Sequence, residues 1–270
     1  MAVTEFQSNI LRLIARNRVA GGESYVAGGV ALNQLIEGSR FSRDIDLFHD
    51  TSEAVIITWE LDRKLLIENG YLVETIRELP SFIEALVKKE DHTVLIQWAR
   101  DSAYRFFPLV EDKMFGLSLH PFDLATNKVL ALAGRLEVRD WIDVINCHDN
   151  IQNAGYLFWA ACGKDPGFNP VSLLSEARRS SHYSAEEIDQ LAFQGPPPNA
   201  SILGQKWHEI LKDTEKIIAL LPPEEVGNCI LDDKMNLFTG GHLILEDALK
   251  RDAVQFHKGS IKGVWPKIRS

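Results

Sequence analysis

Two adjacent glycines, Gly28-Gly29, and a pair of aspartates one residue apart, Asp44 and Asp46, constrain this chain more than any other feature. The glycines follow the short apolar run Tyr25-Val26-Ala27, and a helix-length gap separates them from the aspartates. Residues 40–48 read as a β-strand. With a side-chain period of two, Arg40, Ser42, Asp44 and Asp46 project to one face and Phe41, Ile45 and Leu47 to the other. Two carboxylates so close oppose folding unless a cation lies between them. Mg²⁺ suits such a pair, since it takes one or two carboxylates and completes its octahedron with water and phosphate oxygens. A Gly-Gly turn opening a helix lets backbone N–H groups approach a phosphate closely. The segment as a whole is equipment for holding a metal–triphosphate.

The remaining pattern sets the scaffold. Residues 5–19 have apolar positions at helical spacing, and Gly21-Gly22 ends that helix. A short helix runs through Ile36 to Gly38, and a longer one spans residues 53–69 before Gly70. Residues 71–78, 82–88 and 92–98 are rich in Val, Ile and Leu and separated by turn residues, which predicts adjacent antiparallel strands. A further short strand is expected at 117–119, a helix opened by Pro121 to about Arg135, and another over 138–149. From there to about Leu221 the pattern is mainly helical, interrupted by Pro166-Gly167 and Pro196-Pro197-Pro198. The expected class is α+β, a small mixed or antiparallel sheet flanked by helices and followed by a mainly helical half. The soft boundary falls near residue 150, giving domains 1–150 and 151–270.

Composition excludes several alternatives. The 270 residues are 45% apolar and 25% charged, which is globular rather than disordered. No segment approaches the roughly 18–20 apolar residues that span a bilayer. The first twenty residues lack a signal-peptide pattern, and Cys147, Cys162 and Cys229 are too few and too scattered for a disulfide framework. A soluble cytoplasmic protein is expected. The net charge of −9 argues against a globally basic nucleic-acid surface. Residues 249–270 are the exception, with Lys250, Arg251, Lys258, Lys262, Lys267 and Arg269 against Asp252 alone.

Gly28-Gly29-x-Ala31-Leu32 followed by Arg40-x-Ser42-x-Asp44-x-Asp46-Leu47-Phe48 resembles the first motif of AbiEii/AbiGii-type nucleotidyltransferases, in the DNA polymerase β-like superfamily. Asp123-Leu124-Ala125-x-x-Lys128 through Arg135 to Arg139-Asp140-x-x-Asp143 resembles that family's Lys-bearing helix and its Arg-Asp-x-x-Asp. The two matches cover about residues 25–145. The resemblance implies Asp44 and Asp46 as catalytic metal ligands for Mg²⁺, or Mn²⁺ in its place. Gly28, Gly29 and Ser42 would face the triphosphate, with Arg40 in phase beside them, and Lys128 would contact the phosphates. Helical spacing independently sets Arg135 on the face of Lys128, and Asp140 and Asp143 on one face of the next helix.

One position departs from the superfamily pattern. Where a third carboxylate often sits on a neighbouring strand, residues 93–98 offer Gln97, and an amide cannot take a proton at neutral pH. Asp101, Asp140, Asp143 or a metal-bound hydroxide are the substitutes, or the site is degenerate. The implied reaction moves a nucleoside monophosphate from a nucleoside triphosphate to an acceptor hydroxyl. The tRNA 3′ end is one acceptor, seated with help from the basic tail, and a small antibiotic-type molecule is the other. A toxin of this kind would have a cognate antitoxin protein as partner. Against these enzymatic readings stands a nucleotide-binding protein without activity. Trp159 and Trp207 read as core, and the stretch 155–167 as packing plus a turn.

Overall fold

The computed structural model describes residues 3–179 and 183–267. The chain divides into two compact units. The first holds the chain up to Ala103, Pro108–His120 and Phe193–Gly195; the second holds Tyr104–Phe107, Pro121–Ala192 and the chain from Pro196 onward.

In chain order the first part runs α1 (Glu5–Gly21), β1 (Ser24–Val26), α2 (Gly28–Leu35), β2 (Asp44–His49), α3 (Ser52–Glu68), β3 (Leu72–Leu79), β4 (Phe82–Lys89) and β5 (His92–Arg100). After β6 (Tyr104–Arg105), which belongs to the second unit, come β7 (Val110–Asp112) and β8 (Gly116–Ser118). Seven strands form one mixed sheet in the order β3-β4-β5-β2-β1-β8-β7. The β3-β4-β5 meander is antiparallel, whereas β2 lies parallel to β5. The α+β class and the helix-flanked mixed sheet expected from sequence are those observed.

Strand alternation decides what the sheet buries. Ile45 and Leu47 of β2, Ile83, Ala85 and Val87 of β4, and Val94, Ile96 and Trp98 of β5 are all buried. The alternate positions, Asp44, Asp46, Glu84, Leu86, Leu95 and Gln97, are only half-buried. Helices α1 and α3 supply the buried partners Ile10, Leu11, Ile14, Val55, Trp59, Leu65 and Leu66, with Trp59 edge-on to Trp98 at 4.7 Å. Helix α1 starts at a capping box in which Thr4 and Gln7 exchange side-chain-to-backbone hydrogen bonds of 3.0 and 3.1 Å.

His49 ends β2 fully buried. Its Nδ1 faces the Ala99 carbonyl at 3.3 Å, and its Nε2 meets the Ser24 hydroxyl at 3.0 Å. Burial, aided by the Arg18 charge, lowers its pKa to about 4. The folded value lies below the unfolded 6.5, so the unfolded chain binds the extra proton as pH falls from 6.5 to 4. Acidification from pH 7 to 4 is therefore expected to remove about 3 kcal/mol of stability at this residue. Urea midpoints measured across that window, flattened in His49→Gln, check it.

The second unit continues with α4 (Pro121–Arg135), α5 (Val138–Asn150), α6 (Ala154–Ala161), α7 (Pro170–Arg179), α8 (Ala185–Asp189) and α9 (Ala200–Leu220). A 3₁₀ turn at Pro223–Glu225, β9 (Cys229–Asp232), α10 (His242–Lys250), β10 (Val254–His257) and β11 (Ser260–Ile261) complete it. Strands β9 and β10 pair antiparallel, as do β6 and β11. Tyr156, Trp159, Ile217, Leu221, Ile230, Phe238, Leu245 and Val254 share one core. Trp207 is fully buried as well.

The unusual stretch 155–167 finds its account in this unit. A methyl group on Gly155 would collide with Ile217, so the glycine allows α6 and α9 to approach closely. Lys164 is buried against the Asp123 carboxylate at 2.8 Å and also donates to Asn127 at 2.7 Å. Asp123 in turn accepts the Phe106 and Phe107 amides. Among the described residues no helix is long and apolar enough to cross a membrane.

Candidate active site

Backbone geometry at the β1–α2 turn determines the site. Gly28 has φ +66°, the left-handed conformation that glycine adopts without a Cβ penalty. The amide of Ala27 donates to the Asp46 carbonyl at 3.1 Å, which fixes the turn against β2. Space is the second constraint. A methyl group on Gly28 would overlap the Asp46 carboxylate, coming within 2.9 Å of its Cγ. One on Gly29 would lie 2.8 Å from the Ser42 hydroxyl and 3.0 Å from a guanidinium nitrogen of Arg40. Gly28, Gly29, Arg40, Ser42 and Asp46 are thereby brought together, and Asp44 shares the face of Asp46 two residues earlier on β2.

The route to that convergence differs from a continuous strand over 40–48. Only Asp44–His49 is strand, paired with β5 along its whole length. The preceding residues satisfy their backbone elsewhere. Arg40 bridges to Phe193, Ser39 accepts from the Gln194 amide at 2.7 Å, and the Ser42 carbonyl takes the Gln7 side chain at 2.8 Å. Arg40 and Ser42 thus face the glycines because a loop is pinned from α1 and from residues 193–195, not through strand alternation. Asn33 supports the other side by donating to the Gly29 carbonyl at 2.8 Å.

Lys128, Arg135, Asp140 and Asp143 form a separate cluster within the second unit. The Lys128 ammonium, almost fully buried, lies 2.8 Å from Asp143 and 3.2 Å from Asp140. Arg135 reaches Asp140 at 3.0 Å with its side chain half-exposed. Both carboxylates are fully buried. The seven-residue spacing of the two cations on α4 and the three-residue spacing of the two acids on α5 produce this pairing. Asp101 follows β5 and accepts the Ser102 amide at 2.7 Å. His148, beside Cys147, accepts the Ala154 amide through Nδ1.

Among the described residues no group of three or more His, Cys, Asp and Glu side chains is placed to hold a metal by itself. Two carboxylates on one strand face, beside a glycine turn that a side chain would fill, fit an ion that takes its remaining ligands from phosphate and water. They do not fit an ion caged by protein alone.

Sequence inspection passed over Glu84. It stands opposite Gln97 in the β4–β5 ladder and accepts the Gln97 Nε2 at 2.8 Å. The signal was present in the two-residue connection Glu90-Asp91 between Lys89 and His92, which sets the register of the whole hairpin.

No family model matches the sequence, and no curated protein matches it by sequence. Solved structures do match. The chain is similar to MenT4, a nucleotidyltransferase toxin from Mycobacterium tuberculosis, with TM-score 0.53 and 16% identity over 81% of this chain and 83% of that one. It is similar also to JHP933 from Helicobacter pylori, with TM-score 0.51 and 17% identity over 80% of this chain and 95% of the other. At such identities the likeness concerns the fold, and the chain has the fold of the nucleotidyltransferases.

Proposed function

We propose that this protein is a Mg²⁺-dependent nucleotidyltransferase, moving a nucleoside monophosphate from a nucleoside triphosphate to an acceptor hydroxyl. The observation that carries this reading is the packing of Gly28 on Asp46 and of Gly29 on Ser42 and Arg40, with Asp44 on the same strand face. Asp44 and Asp46 would hold the metal, which neutralises charge on the phosphoryl oxygens when bound. The α2 N-terminus and the Ser42 hydroxyl offer hydrogen-bond donors to phosphate, and Arg40 supplies a fixed positive charge. By the resemblance Lys128 would contact the phosphates; within its own unit Asp140 and Asp143 set the position of its ammonium.

The acceptor we favour is the tRNA 3′ end, with the chain acting as the toxin of a toxin–antitoxin pair. The structural likeness to a nucleotidyltransferase toxin and the lysines of the C-terminal segment support it. Of that segment's cations, Lys250 and Arg251 are engaged by Glu246 and Asp247 one helical turn away. Lys258 and Lys267 are the candidates for an RNA backbone. Incubation with α-labelled nucleoside triphosphate, Mg²⁺ and bulk tRNA is expected to leave label on the RNA with release of pyrophosphate. Absence of both nucleotide binding and label transfer overturns the reading.

A further inference from the structure

On the half-buried face of the sheet one rank is polar on all three of β2, β5 and β4. Asp46 on β2 stands in register with Gln97 on β5, which stands in register with Glu84 on β4. On one side of this rank Asp44, Leu95 and Leu86 are in register; on the other Phe48, Ala99 and Phe82 are. Adjacent strands are about 4.8 Å apart, so three polar side chains cross the sheet as a continuous line beginning at a candidate metal ligand.

Glu84 is not committed to an ion pair. Its register neighbour on β3 is Arg77, whose guanidinium lies over the Phe82 ring at 5.7 Å. Lys88, four residues along β4, is taken by Glu74 at 2.7 Å. Among the described residues, the hydrogen bond the carboxylate makes is to Gln97, through one of its two oxygens. Gln97 donates Nε2 toward β4, so its amide is oriented with the carbonyl oxygen available to accept from a hydroxyl. Nor does Glu84 complete a metal cage, since no three-member ligand group exists among the described residues.

Resting on the nucleotidyltransferase reading, we propose that Glu84 is the general base for the acceptor hydroxyl, delivered from β4 and held by Gln97. Gln97 cannot take a proton, but it brings a carboxylate within one hydrogen bond of its own position. The acceptor O–H binds above Gln97 and gives its proton to the free oxygen of Glu84. The hydroxyl oxygen forms the bond to the α-phosphorus, and the bond from that phosphorus to the β-phosphate bridge breaks with its electron pair leaving on pyrophosphate. Glu84 then releases the proton to water.

The test compares Glu84→Gln, Gln97→Ala and the exchanged pair Glu84→Gln/Gln97→Glu with the wild-type chain. Label transfer from α-labelled nucleoside triphosphate to bulk tRNA gives kcat and KM, and calorimetry gives the affinity for Mg²⁺ and nucleotide. Glu84→Gln is expected to lower kcat by about 10²–10³-fold with nucleotide affinity unchanged. Gln97→Ala should lose about tenfold, because the base remains but is no longer oriented. The exchanged pair should recover most of the loss, since the carboxylate returns one strand over, whereas a merely structural hydrogen bond, which Glu84→Gln keeps through its amide oxygen, predicts no loss of kcat in that variant. Transfer undiminished in Glu84→Gln, or lost without rescue and with nucleotide affinity falling in parallel, overturns the assignment alone. A wild-type chain that neither binds nucleotide nor transfers label overturns the nucleotidyltransferase reading and this base with it.

Discussion

Asp46→Asn is expected to lower nucleotidyl transfer by about 10³-fold or more, equivalent to ~4 kcal/mol of transition-state stabilisation, while the chain stays folded. The substitution keeps the shape of the side chain and its place opposite Gln97 but removes the charge. Its backbone carbonyl continues to accept the Ala27 amide, so the glycine turn remains attached to β2. What disappears is one of the two carboxylates proposed to hold Mg²⁺, on the face where the triphosphate would lie. The loss should appear in kcat and in Mg²⁺ affinity together, with the thermal unfolding midpoint within a few degrees of wild type. Gly28→Ala offers the steric counterpart, for the added methyl must displace the same carboxylate. Full activity in Asp46→Asn would remove the central element of the proposed site.

The legible part of this site was local. Ile45 and Leu47 alternate with Asp44 and Asp46, and the structure buries the first pair and half-exposes the second, as a period of two dictates. The β3-β4-β5 meander was equally readable, because three apolar runs are separated by short turns. Residues 40–43 were misread as strand, since nothing in their side chains reveals that Gln7 and residues 193–195 take their backbone hydrogen bonds. Those partners lie 35 and about 150 positions away, beyond the reach of periodicity. Strands β9, β10 and β11 were missed for a related reason. They are two to four residues long and embedded among helices, and cross-strand pairing rather than propensity defines them.

Gln97 marks the boundary between the two kinds of information. Its identity and its place on an apolar strand could be seen from sequence, and so could the problem it poses for proton removal. The answer proposed for that problem lies on the neighbouring strand and depends on register. A shift of one residue in the Glu90-Asp91 turn would turn Glu84 to the buried face, where Ile83 and Ala85 now sit. Turn length, a local property, thus decides whether a carboxylate reaches the row that begins at Asp46.

The largest loss of stability is expected for Asp62→Ala, about 3–5 kcal/mol out of the 5–15 typical of a domain. Asp62 and Arg18 are both fully buried and paired at 2.5 Å between α3 and α1. The same carboxylate accepts the Trp98 indole at 3.0 Å from β5 and the Asn17 amide at 2.7 Å. Truncation strands a guanidinium in the interior, where among the described residues its remaining hydrogen-bond partner is the Ile14 carbonyl, and removes the acceptor of the indole N–H. Replacing both partners by apolar residues, Arg18→Met with Asp62→Leu, should recover much of the loss, because the penalty comes from an uncompensated charge. Urea unfolding of the three variants measures both effects, and a double variant as unstable as Asp62→Ala would show that the pair itself holds the helices. The consequence for chemistry is direct. Helix α1 also carries Gln7, which holds the Ser42 carbonyl, while Trp98 follows Gln97 on β5. Loosening this buried pair should therefore disturb the loop that carries Arg40 and Ser42 and the row from Asp46 to Glu84 before the chain unfolds globally.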